Sequence, residues 1–237
     1  MNPNIRNILL DIEGTTTPID FVYQVLFPFA RRCVGDYLNR HWSADDAQSD
    51  LAKLREEHAV DSQQGLNPPE LQAHVESVTN YIHWLMDRDR KSTSLKSLQG
   101  KIWQEGYESG ELLSQVFEDV PAALNRWHQE GKQTYIYSSG SVLAQKLLFG
   151  HTVAGDLTPL LSGYFDTTIG AKTEAESYCR ITASIQQPPE TILFVSDLVA
   201  ELNAASAAGM HCALSLRPGN HPQPANAFHS ITNFGEL

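Results

Sequence analysis

The sequence predicts an α/β protein built on a parallel sheet, with an all-helical block inserted directly after the first strand. Three observations carry this prediction. Ile8-Leu9-Leu10-Asp11-Ile12-Glu13-Gly14 runs three aliphatic residues into two acids and a glycine, the pattern of a buried parallel strand that ends in a turn. Residues from about Phe21 to Gly110 then show helical spacing and no convincing strand. Beyond that block, β-rich runs alternate with helical ones, which implies right-handed crossovers between parallel strands. The boundaries read as 1–18 with 111–237 for the sheet domain and 19–110 for the helical block.

Each element has a local justification. Residues 5–10 form the first strand. Phe21, Val22, Val25, Leu26 and Phe29 recur at helical spacing, and Pro28 marks a kink or a boundary. Ser43 is the expected N-cap of a polar helix through Leu51 and Leu54 to about Ala59. Gly65-Leu66-Asn67-Pro68-Pro69 is a loop whose prolines suit the start of the next helix. Leu71, Val75, Val78, Ile82 and Leu85 mark that helix, which ends in the charged run Asp87-Arg88-Asp89-Arg90-Lys91. Leu95, Leu98, Ile102 and Trp103 mark another, from about Ser94 to Tyr107.

Sheet character then returns. Pro121 opens a helix through Leu124 and Trp127, and Gly131 closes it. Gln133 to Tyr137 is the second strand, and it runs into Ser138-Ser139-Gly140-Ser141. Val142 to Phe149 reads as helix, and Tyr164 to Ile169 as a strand or extended edge. A helix from about Thr173 to Ser184 follows, with Thr173 and Glu176 as a capping box. Thr191 to Val195 is the clearest strand and ends at Ser196-Asp197. An alanine-rich helix from Val199 to Ala208 stops at Gly209, Cys212 to Leu216 is the next strand, and the tail from Pro218 reads mostly as loop.

Composition narrows the function classes. The chain has 237 residues, 41% of them hydrophobic, enough for a core domain with a smaller insert. Its net charge is -11, with 28 acidic against 17 basic residues and no Lys/Arg cluster, which argues against nucleic acid or an anionic membrane as partner. Cys33, Cys179 and Cys212 are far apart and odd in number, as suits a reducing cytosol without a disulfide framework. The nine histidines show no HExxH spacing. No signal segment precedes the first strand and no run is long enough for a bilayer span, so a cytoplasmic location is expected. No stretch advertises a large apolar interface, so a monomer is expected.

Three strands end in residues suited to phosphate chemistry, and open α/β sheets bind ligands at those ends. Asp11 and Glu13 follow the first. Two carboxylates so close repel each other unless a cation or a shared proton joins them. Ser138 and Ser139 follow the second strand and open a helix, where hydroxyls and free N–H groups make an anion site. Asp197 follows the third, with Glu201 one helical turn on, and two such acids can hold a hard cation such as Mg²⁺. Lys172 sits just before a helix, where its charge opposes the helix dipole and would be better used beside a carboxylate and a phosphate. Taken singly, an acidic turn, an N-cap or a surface lysine explains each of these as well.

Taken in order, Asp-x-Glu-Gly-Thr, Ser-Ser-Gly, Lys and Ser-Asp-x-x-x-Glu resemble the four motifs of the haloacid-dehalogenase-like phosphotransferase superfamily. The resemblance implies a Rossmann-like parallel sheet core with an all-helical cap inserted after the first strand. It implies Asp11 as nucleophile on phosphorus through an aspartyl-phosphate, and one Mg²⁺ held by Asp11, Glu13 and Asp197. It implies Ser138, Ser139 and Lys172 on the phosphate, and Glu201 orienting metal-bound waters. Glu13 departs from the aspartate that most phosphatases of the superfamily carry there, so its proton-transfer role stays open. Asp-Ile-Glu-Gly-Thr-Thr-Thr-Pro-Ile at 11–19, Leu-Gln-Gly-Lys-Ile-Trp-Gln-Glu-Gly-Tyr at 98–107, Tyr-Ser-Ser-Gly-Ser at 137–141 and Phe-Val-Ser-Asp at 194–197 together resemble the enolase-phosphatase, or acireductone synthase, family of methionine salvage.

That narrower resemblance implies a phosphorylated diketone as substrate, 2,3-diketo-5-methylthiopentyl-1-phosphate, which is enolised and then loses phosphate to give the acireductone. The cap would close over it. Trp103 and Tyr107, at helical spacing, serve either as helix core or as lining for the methylthio group. Two alternatives stand beside it. One is a phosphatase of the same superfamily for another small phosphate ester. The other is a non-enzymatic binding protein on the same fold. A dehalogenase fits less well, because the acids at 197 and 201 suit a metal.

Overall fold

The computed structural model describes residues 3–90 and 92–237. Among them six strands form one all-parallel sheet in the order β3-β2-β1-β4-β5-β6. The strands are β1 (Asn7–Leu10), β2 (Gln133–Tyr137), β3 (Gly163–Phe165), β4 (Ile192–Ser196), β5 (His211–Ser215) and β6 (His229–Ile231). The α/β class predicted from the alternating runs is therefore the observed one. β1 and β4 are buried at every position, which is why both read as unbroken aliphatic runs rather than alternating ones. The order reverses direction between β1 and β4, the place where sheets of this type leave a crevice at the carboxyl ends of their strands.

The chain divides into two compact units, Met1–Tyr23 with Leu113–Leu237, and Gln24–Leu112. In the first unit, helices α6 (Val120–Gln129), α7 (Val142–Gly150), α8 (Ala175–Ile185) and α9 (Val199–Ala207) accompany the strands. One core cluster joins Leu9, Tyr137, Tyr178, Phe194, Leu202 and Leu214, all buried. Burying an aromatic or aliphatic side chain of this kind is worth about 1.5–3 kcal/mol.

The second unit is helical. The short α1 (Ile19–Phe21) ends the first stretch of the other unit, a π turn at Val22–Leu26 crosses the boundary, and α2 (Phe27–His41) follows with Pro28 in its first turn, where its missing N–H costs nothing. Then come α3 (Asp45–Gln63), α4 (Val75–Asp87) and α5 (Thr93–Glu108). Val34, Leu38, Leu51, Leu54, Tyr81, Ile82, Leu98 and Ile102 form its buried interior. Tyr107 is buried too, while Trp103 donates to the Leu26 carbonyl at 2.9 Å and packs its ring on Phe27.

Several local expectations change. Ser43 is not the cap of α3; Ala44 occupies that position without a side-chain bond, and Asp45 and Asp46 face the positive helix end instead. Asp87 ends α4; Lys91, the end of the predicted charged run, lies outside the described residues. Thr173 and Glu176 form no capping box, because α8 begins later, after Glu174. The predicted strand to Ile169 is shorter, ending at Phe165, and the tail contains a sixth strand. Among the described residues no helix is long and apolar enough to cross a membrane.

Candidate active site

Sheet register brings the strand-end residues together. Leu10 pairs with Ile136 on one side and Val195 on the other. Asp11, just past Leu10, donates its backbone N–H to the Val195 carbonyl at 3.0 Å. Ser138 and Asp197 each lie two residues beyond those partners, so all three emerge at the same edge of the sheet. The chain then winds tightly around one acceptor. The N–H groups of Thr15, Thr16 and Thr17 all point at the Ile12 carbonyl, at 3.1, 2.9 and 2.9 Å. Thr16 Oγ1 donates back to the Asp11 carbonyl at 3.1 Å. This turn fixes where Asp11 and Glu13 stand.

Gly14 closes the turn with φ +68, a conformation that suits a residue without a Cβ. A Cβ there would lie 2.6 Å from Asp197 Oδ2 and 2.7 Å from Asn220 Oδ1. Gly14→Ala is therefore expected to cost about 1–3 kcal/mol of stability from backbone strain and to displace Asp197. Urea unfolding together with Mg²⁺ titration would measure both effects. A variant with wild-type stability and wild-type Mg²⁺ affinity would refute the close approach.

Lys172 reaches into this edge from the segment before α8. Its Nζ bonds Asp11 Oδ1 and lies 2.8 Å from Glu201 Oε2. All three side chains are buried, at 9%, 3% and 7% relative exposure for Lys172, Asp11 and Glu201. Desolvation alone would discharge a buried lysine, but Asp11 and Glu201 outweigh it and hold the ammonium above its ordinary range. The Lys172 backbone is itself held. Tyr178 donates its hydroxyl to the Lys172 carbonyl at 2.7 Å, Ser177 to that of Ala171 at 2.7 Å, and Tyr137 to that of Gly170 at 2.9 Å. Sequence reasoning gave none of these three residues a role in the site. They read as core and helix positions, and their partners are backbone carbonyls that no motif records.

Ser138 is buried and accepts from the Gly140 N–H at 3.1 Å, so its own proton can be given to an anion. Ser139 stands exposed on the same loop. Ser141 caps α7 by accepting from Ala144, and Gln145 pins the loop through the Gly140 and Phe165 carbonyls, both at 2.8 Å. The anion-binding geometry expected at this helix start is thus rigidly supported.

The electrostatics of the acids fit a cation. Burial first, and then the Asp11 charge, push the carboxyl groups of Asp197 and Glu201 up to about 7. The same two causes raise Glu13. Glu201 is bonded by the Ser196 hydroxyl at 2.8 Å as well as by Lys172, so it orients the lysine whatever else it does. Four carboxyl groups share this edge with one lysine, and an anionic phosphate would not enter such a field unaided. A divalent ion would offset the excess. Among the described residues no three His, Cys, Asp or Glu side chains are gathered to hold a metal by themselves. Mg²⁺ needs no such cage, since it keeps several waters and takes one or two carboxylates plus phosphate oxygens.

A pH effect follows. Asp197 and Glu201 ionise near their ordinary values of 3.8 and 4.5 when unfolded but near 7 when folded. Between those limits the folded chain holds more protons, so stability falls as pH rises. With divalent ions chelated, the melting temperature should drop from pH 5 to pH 8, and Asp197→Asn should flatten that drop. An unchanged slope in the variant would contradict the assignment.

The chain is similar to known proteins over nearly its whole length. A family described as "Hydrolase: haloacid dehalogenase-like hydrolase" matches residues 5–209. The chain is similar to "Enolase-phosphatase E1" of Synechococcus elongatus, 51% identical over 234 residues, covering 99% of this chain and 98% of the relative. It is also similar to "Enolase-phosphatase E1" of Xenopus tropicalis, 45% identical over 92% of this chain and 87% of the relative. Among solved structures, the Saccharomyces cerevisiae protein UTR4 aligns with a TM-score of 0.82 at 34% identity, covering 98% of this chain and 100% of its own.

Proposed function

Since the chain belongs to the enolase-phosphatase E1 family of haloacid dehalogenase-like hydrolases, we propose that it converts 2,3-diketo-5-methylthiopentyl-1-phosphate to 1,2-dihydroxy-3-keto-5-methylthiopentene and phosphate. The observation that carries the reading is the buried Asp11–Lys172–Glu201 cluster beside Asp197 at the sheet's switch point. Lys172 engages Oδ1 of Asp11, so Oδ2 is the oxygen that attacks phosphorus. The bond from phosphorus to the substrate's C1 oxygen breaks, the phosphoryl group passes to Asp11, and the C1 oxygen leaves as an enolate that takes its proton from water. Water then releases it as inorganic phosphate. Ser138 donates to a phosphoryl oxygen, Ser139 adds a second hydroxyl on the same loop, and Lys172 offsets the charge that builds there.

Enolisation comes first and needs a base near the diketone. Glu13 suits this task, because its raised carboxyl lies closer to the range where proton transfer works at neutral pH. Asp11 and Asp197 would hold one Mg²⁺, with Glu13 near enough to reach it or its waters. The bound ion supplies charge stabilisation at the phosphate and polarises the diketone oxygens.

An assay on this diketone phosphate, following phosphate and the ultraviolet absorbance of the conjugated enediol together, tests the reading. Both signals should rise with Mg²⁺ and stop with EDTA. Phosphate without the enediol would leave a phosphatase for a different ester. Activity indifferent to chelation would undo the metal assignment.

A further inference from the structure

Behind the Asp11 turn lies a segment that the mechanism does not use. After β5, the chain folds Arg217-Pro218-Gly219-Asn220 into a β-turn closed by the Asn220 N–H on the Arg217 carbonyl at 3.1 Å, with Gly219 at φ +88. Proline second and glycine third with positive φ is the type II pattern, so Asn220 is delivered by a stiff support. Its Nδ2 donates twice, to the Gly14 carbonyl at 2.9 Å and the Ser215 carbonyl at 3.0 Å. Two carbonyl acceptors at one end of the amide fix which end is nitrogen. Oδ1 must then face the other way. It is buried and has no hydrogen-bond partner.

The direction it faces is informative. Oδ1 lies 2.7 Å, and Asp197 Oδ2 2.6 Å, from the point where a Cβ on Gly14 would sit. Two oxygens thus approach one point beside a glycine, and once Asp197 is ionised, as a bound cation requires, both are acceptors and neither can satisfy the other. A buried acceptor without a donor is costly. A water with protons to give resolves the conflict, and the hydration shell of a cation at Asp197 provides such protons.

We propose that Asn220 is a positioning residue of the cation site, accepting through Oδ1 from hydration-shell water that Asp197 also holds. This rests on the reading that Asp11 and Asp197 bind a divalent ion. Groups that act one layer behind the ligands commonly change metal affinity by about 10–100-fold. Asn220 also anchors Gly14, but so does Ser215, whose hydroxyl donates to the same carbonyl at 3.1 Å. Ser215→Ala therefore loosens the turn without touching Oδ1, and separates support from solvation.

The experiment is calorimetric titration of the full chain with Mg²⁺ alone, for wild type, Asn220→Ala, Asn220→Ser and Ser215→Ala, with melting temperatures alongside. The expected result is an affinity loss of about tenfold or more in both Asn220 variants, exceeding the loss in Ser215→Ala. Asn220→Ser keeps a donor for the turn, so it reports if Asn220→Ala does not fold. Asn220 variants that bind Mg²⁺ like wild type, or like Ser215→Ala, overturn the role of Oδ1 and leave the cation site standing. Absence of Mg²⁺ binding by wild type overturns both.

Discussion

Asp11→Asn is expected to lower phosphate release by at least about 10⁴-fold, the scale on which removing a nucleophile acts, without lowering the melting temperature. The amide keeps the shape of the carboxylate but cannot accept a phosphoryl group. Stability should hold because the Asp11 charge burdens its surroundings. It helps to raise the carboxyls of Glu13, Asp197 and Glu201. Neutralising it relieves three repulsions at once, and Lys172 retains Glu201 at 2.8 Å. Phosphate-release kinetics and scanning calorimetry on the same preparation decide the matter. Release at the wild-type rate would remove Asp11 as the nucleophile, and a collapsed fold would show that its pair with Lys172 is mainly architectural.

Lys172→Ala should do the opposite to stability. It strands Asp11 and Glu201 in a buried site without their cation, a change that costs about 3–5 kcal/mol. The loss should grow with pH. Lysine is charged in both folded and unfolded states from pH 5 to pH 8, because its pKa is raised above an ordinary value of 10.5. The pH dependence in that window therefore comes from the carboxyls. Glu201 ionises near 7 even with Lys172 lowering it, so without the lysine it ionises later still. The folded variant then takes up protons that the unfolded chain has lost, and its stability falls as pH rises. Urea midpoints at pH 5 and pH 8 test this. Equal destabilisation at both would mean that packing, not charge, is what the lysine provides. Turnover should fall with it, since the phosphate loses its counter-charge.

Most of the scaffold was legible because parallel strands buried on both faces leave continuous aliphatic runs. Their carboxyl ends converge, so the acids after β1 and β4 could be associated without knowing the register. β6 left no such trace. His229 and Ser230 are exposed, and only Ile231 is buried. The caps misread for a different reason. Ser43 and Thr173 are good cap residues, but Ala44 and Glu174 precede the helices, and Ser177 bonds the Ala171 carbonyl from within α8 instead. Tyr178, Arg217 and Asn220 were invisible as site residues. Each acts on a backbone carbonyl, those of Lys172, Thr15 and Gly14, and carbonyls carry no residue-specific signature. The geometry of a turn decides which one is met.

The position of β1 has a consequence for synthesis. This strand is made before either of the strands that flank it in the sheet, β2 and β4. Asp11 and Lys172 are 161 residues apart, and Gly14 and Ser215 are 201 apart. At ribosomal rates of about 5–20 residues per second, Asp11 waits roughly 8–30 s for its lysine. Until β2 is made this apolar strand has two unpaired edges on the nascent chain, and until β4 is made it still has one. The helical segment, made in between, can fold on contacts near in sequence while the older strand cannot. A newborn chain is thus exposed to aggregation at β1, and a chaperone that engages residues 7–10 would act where the delay is longest.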